Sequence, residues 1–146
     1  MPTQQLTSWT GLSWGGPVEL RVPAEARQLA MIRTVAQCVA RQEGFGQDEA
    51  TDVVVAVDEA AGCLIGASVP GAILTCRYVL ALGKLQVVVS TTTRAGSVPG
   101  SHAFGWRVLT TMTDSLSVWR FEHDGQRSVD RIVHIEFAKQ FVPGRL

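Results

Sequence analysis

The sequence predicts an α+β protein: a two-layer α/β sandwich with its helices on one face of a mixed, mostly antiparallel sheet. Three observations lead there. Period-2 alternation marks a strand at Val18–Val22, and two apolar, partly β-branched runs joined by Ala81–Lys84 mark a hairpin. A period of three to four residues marks two long helices between them. The order of elements then reads β-α-α-β-β-loop-α-β-β.

Taken in order, residues 1–16 show no periodicity and read as a loose N-terminal arm carrying Trp9 and Trp14, aromatics suited either to capping the sheet or to a contact surface. Val18, Leu20 and Val22 alternate with Glu19 and Arg21 until Pro23 stops the ladder. From Ala24 to Glu43, Leu29, Ile32, Val35, Ala36 and Val39 form an apolar stripe, with Arg27, Arg33 and Arg41 largely off it. Gly44 and Gly46 close that helix. Asp48 is the expected cap of the next, with Glu49 and Asp52 in its first turn, where the helix dipole favours anions. Val53–Val57 has strand propensity, but Ala60, Ala61, Leu64 and Ile65 continue the apolar set at helical spacing, so a helix is expected up to Pro70-Gly71.

Ile73–Leu80 and Leu85–Val89 form the clearest hairpin. Thr91–Gly100 is polar, bears Gly and Pro, and reads as a loop. Ser101 is placed to cap a helix carrying Phe104, Val108, Leu109 and Met112, ending near Asp114. Leu116, Val118 and Phe121 suggest a strand, His123–Gln126 a turn, and Ile132–Phe137 the last strand. Trp106 and Trp119 read as core or groove aromatics. The expected organisation is one domain over 17–140, with the arm 1–16 before it and a short tail 141–146 after it.

Composition narrows the function. Thirteen basic residues balance thirteen acidic ones, so no basic surplus is present to release counterions from nucleic acid. The longest apolar stretch, Val53–Val69, is broken by Asp58-Glu59, and the N-terminus shows neither a basic n-region nor an apolar h-region. No membrane and no nucleic-acid partner are expected, and the localisation read from this is cytoplasmic. Cys38, Cys63 and Cys76 are odd in number and widely spaced, so free thiols are expected and no metal site. Gly83-Lys84 lacks the spacing of a phosphate loop. Gly11-Leu12-Ser13-Trp14-Gly15 has the letters of a hydrolase elbow without the strand-turn-helix context that elbow needs.

One stretch carries more. In Ala56–Ile65, Glu59 and Cys63 stand four residues apart on one helical face. With the element order and with Pro99–Asp114, which looks like a post-lid helix, this stretch resembles the RsbW-like anti-sigma factors, serine kinases of the GHKL ATPase superfamily. The resemblance spans roughly Val18 to Phe137 and implies a Bergerat-type (GHKL-like) sandwich. In that family E-x-x-x-N supplies a glutamate base and an asparagine oxygen for Mg²⁺. Glu59 matches the base, and Cys63 stands in the asparagine's place. The family's D-x-G-x-G falls on Thr91-x-Thr93-x-Ala95, and no Asp occurs anywhere between Glu59 and Asp114. Of the lid glycines Gly96 and Gly100 remain, and Gly100 is the candidate cofactor-binding residue, opening the helix whose N-terminus would meet phosphates.

The resemblance implies an anti-sigma regulator that sequesters an RNA polymerase sigma factor, with weak or lost kinase activity. Its implied partners are that sigma factor and a STAS-type anti-anti-sigma factor, with a homodimer as the family's assembly. The arginine-bearing helix 24–43 is a candidate part of the partner surface. One alternative is an active serine kinase using Glu59, ATP and Mg²⁺; another is a GHKL-like small-molecule sensor with no sigma partner.

Overall fold

The computed structural model describes residues 17–81, 83–94, 104–122 and 131–140. Five strands, β1 (Val18–Pro23), β2 (Ile73–Ala81), β3 (Lys84–Thr93), β4 (Ser115–Glu122) and β5 (Arg131–Gln140), form one sheet. Its order is β1-β2-β3-β5-β4 and every neighbouring pair is antiparallel. The helices are α1 (Leu29–Gln42), α2 (Gln47–Ala67) and α3 (Phe104–Met112), with a 3-10 turn at Ala26–Gln28 leading into α1.

Register explains which face holds the core. Leu20, Cys76, Val89, Ile135 and Val118 form one continuous cross-strand row, and Val18, Tyr78, Val87, Phe137 and Leu116 form the next. Both rows point at the helices. The alternate row, Arg21, Thr75, Ser90, His134 and Trp119, points away from them. A one-residue slip anywhere would exchange these faces, so the apolar rows fix the register.

The helix α2 lies over the centre of the sheet, flanked by α1 and α3. Its buried stripe is Ala50, Val53, Ala56, Val57, Ala60, Ala61 and Leu64. The four alanines let backbones approach, and the spacing resolves the Val53–Val57 ambiguity: only a helix puts these seven residues on one face. The first helix ends on a residue with positive φ, Gly44 at φ 86°. The Gly44 N–H donates to the Arg41 carbonyl and the Phe45 N–H to the Ala40 carbonyl, while the Phe45 ring is buried. Deep in the core, the Tyr78 hydroxyl finds no hydrogen-bond partner among the described residues.

Four expectations need correction. The run Thr91-Thr92-Thr93 is strand, not loop, since β3 continues through it and pairs with Val133, Ile132 and Arg131 of β5. Asp48 does not cap α2; Gly46 does, in an extended conformation, and Asp48 and Glu49 fill the first turn. Asp52 lies a turn further on, where its carboxylate accepts a 2.9 Å bond from Lys139 Nζ of β5. Trp119 is neither core nor groove: it is 37% exposed on the outer sheet face, stacked on His134 with ring centroids 4.2 Å apart. The arm 1–16, the tail 141–146, Gly96, Gly100, Ser101 and the 123–126 turn lie outside the described residues.

Candidate functional site

The cavity that holds both Glu59 and Cys63 follows from the helix layer's own packing. A cavity of about 310 Å³ opens where the start of α1, the middle of α2 and the start of α3 converge. Leu29 lines it from α1, Asp58, Glu59, Gly62 and Cys63 from α2, and Gly105, Trp106 and Leu109 from α3. The i, i+1, i+4, i+5 spacing on α2 puts all four of its residues on one side, so the sequence's paired Glu59 and Cys63 do meet in one place.

The electrostatics are one-signed. Arg33 Nη1 donates to Asp58 Oδ1 at 2.9 Å and answers that charge. Glu59, half-buried, has no ion-pair or hydrogen-bond partner among the described residues. One of its carboxylate oxygens lies against Gly105, in space that a Cβ there would need. The Cys63 thiol is pushed above its ordinary pKa, first by burial and then by the Glu59 charge, so it stays a neutral thiol. Among the described residues, no Lys or Arg lines the cavity.

The residues expected to read the base are elsewhere. Thr91 is 4% exposed and donates its hydroxyl to the Ile73 carbonyl at 2.9 Å; Thr93 is 1% exposed and reaches the Arg131 carbonyl at 3.4 Å. Neither lines the cavity of Glu59 and Cys63. Of the three arginines offered as a partner surface, Arg27 pairs with Glu25 at 2.6 Å and Arg33 with Asp58. Sequence reasoning missed Asp58, Gly62 and Gly105; Gly105 is 46 residues from Glu59 and carries no local signal of that contact.

These groups do not fit the Mg²⁺-nucleotide that the resemblance implies. Mg²⁺ takes oxygen ligands in octahedral geometry, and Cys63 offers a neutral soft sulfur. Among the described residues that line the cavity, phosphates would meet two carboxylates and no cation. The Thr91 hydroxyl is already committed inside the sheet.

No protein-family model matches the chain. It is 34% identical over 114 residues to the anti-sigma-F factor RsbW of Mycobacterium tuberculosis, in strain ATCC 25618 / H37Rv and in strain CDC 1551 / Oshkosh alike. The aligned stretch covers 75% of this chain, and the chain spans 64% of the length of those curated relatives. Together with the helices laid on one face of an antiparallel five-stranded sheet, that likeness supports a place for the chain among the RsbW-like anti-sigma factors.

Proposed function

We propose that this protein sequesters an RNA polymerase sigma factor by steric occlusion and that its kinase activity is weak or lost. The observation that carries this reading is the pairing of family likeness with Cys63 in place of the Mg²⁺-binding asparagine. Phosphoryl transfer depends on positioning and on a metal that neutralises phosphate charge. Sequestration depends only on a complementary surface, and a changed nucleotide site leaves that surface intact. By the same likeness, a STAS-type anti-anti-sigma protein is the antagonist, a homodimer is the assembly and the cytoplasm is the compartment. Among the described residues, no helix is long and apolar enough to cross a membrane.

The kinase alternative keeps one observation in its favour, since Glu59 lines the cavity with no counterion among the described residues. One experiment separates the two. Purified protein is incubated with its sigma factor, a STAS partner and Mg-ATP, and both complex formation and serine phosphorylation are followed. The expected result is a stable sigma complex with little phosphate transfer. Efficient transfer abolished by Glu59→Gln establishes the kinase reading instead, and failure of any sigma factor to bind removes the sequestration reading.

A further inference from the structure

The cavity's own chemistry points to a ligand class different from a nucleotide. Its walls are Leu29, Leu109, Trp106 and two glycines, and its polar groups are two carboxylates and a neutral thiol. About 310 Å³ is at the small end of the usual range for ligand pockets, roughly 300–1,000 Å³. Arg33 already satisfies Asp58, which leaves Glu59 as the uncompensated charge among the described residues that line the cavity. A half-buried carboxylate beside apolar walls attracts a cation more strongly than one in water does. An indole at the same site adds attraction for a cation near its face and apolar contact for the remainder of a ligand.

We propose that this cavity binds a compact organic cation, an amine on a small aromatic or aliphatic body, with the ammonium on Glu59 and the body against Trp106, Leu29 and Leu109. Anions of the same shape are rejected by Glu59 itself, and polyphosphates more strongly. The middle of α2 supports the assignment. A glycine within a helix costs roughly 0.5–1 kcal/mol relative to alanine, and a Cβ at Gly62 would meet nothing within 4 Å. Packing does not require glycine at that position, and its effect is to leave the cavity wall open. This inference rests on the cavity alone and stands or falls independently of sigma binding.

The test is calorimetric titration of the full chain at pH 7 with phenethylamine and tryptamine, and with 3-phenylpropionate as an anion of similar body. Saturable binding of at least one amine and none of the acid is expected. Glu59→Gln should weaken the amine at least tenfold. Gly62→Leu, which fills the cavity from a position with room for a side chain, should abolish binding while melting no lower than wild type. Absence of saturable amine binding, equal binding of the acid, undiminished affinity in Glu59→Gln or unchanged binding in Gly62→Leu each overturns the proposal. The two variants act by different physics, so if one fails to fold the other decides.

Discussion

The Glu59 carboxylate occupies the space beside Gly105 that a side chain there would take. This contact couples the middle of α2 to the first turn of α3, where a helix dipole favours a nearby anion. Because Glu59 is the flexible partner, Gly105→Ala should push the carboxylate aside without disturbing either backbone. Helix propensity gains about 1 kcal/mol from the change and the displaced contact opposes it. The melting temperature should therefore move by no more than a few degrees, read by calorimetry. A loss of several kcal/mol would show a rigid contact that the packing does not contain.

Thr91→Asp should destabilise the protein and leave adenine binding unrestored. Thr91 donates to the Ile73 carbonyl, and an aspartate there can only oppose that oxygen with another acceptor, at a position 4% exposed. An unpaired buried polar group costs roughly 1–3 kcal/mol, more if charged. Denaturant unfolding measures the loss, and an unchanged midpoint contradicts it. The double variant with Cys63→Asn fares no better for nucleotide, because residue 91 does not line the Glu59 cavity.

The fold was legible in the sequence wherever local period and burial agree. The α2 stripe from Ala50 to Leu64 could be read because seven apolar positions at helical spacing outweigh the strand propensity of Val53–Val57. Thr91–Thr93 was misread because a threonine run before Gly and Pro looks like a turn. Yet threonine is β-branched and suits a strand, and its partners on β5 lie some 40 residues away, beyond any local pattern. The site was half legible. Glu59 and Cys63 stand one helical turn apart and so share a face, whereas the α3 residues that complete the cavity arrive only through tertiary packing. Trp119 was misplaced for a similar reason: alternation tells which residues share a face, and the pairing with β5 decides which face turns outward.

Tyr78 has a buried hydroxyl without a partner among the described residues, and burial pushes its ionisation far upward. Tyr78→Phe deletes that hydroxyl and keeps the ring. Stability should stay level or rise by up to about 1 kcal/mol, by the same desolvation argument. A clear loss in urea unfolding would reveal a hydrogen bond this packing does not provide.

The three thiols should react with iodoacetamide in a fixed order at pH 8. Cys38 is exposed and reacts first. Cys63 follows, half-buried and held neutral by burial and by Glu59. Cys76 is fully buried, its thiol pushed up to about 12 by desolvation, and should react only on unfolding. Thiolate is the reactive form, so both access and pKa set this order. Peptide mass spectrometry over time reads it, and early labelling of Cys76 contradicts the packing of β2 against the helices.

Sigma-factor affinity measured with and without saturating Mg-ATP tests the central claim most directly. A ligand that does not bind cannot shift an equilibrium. The account expects dissociation constants equal within a factor of about two, because neither Cys63 nor the cavity around Glu59 offers what phosphate and Mg²⁺ require. A tenfold difference, about 1.4 kcal/mol of coupling between nucleotide and sigma factor, would contradict it.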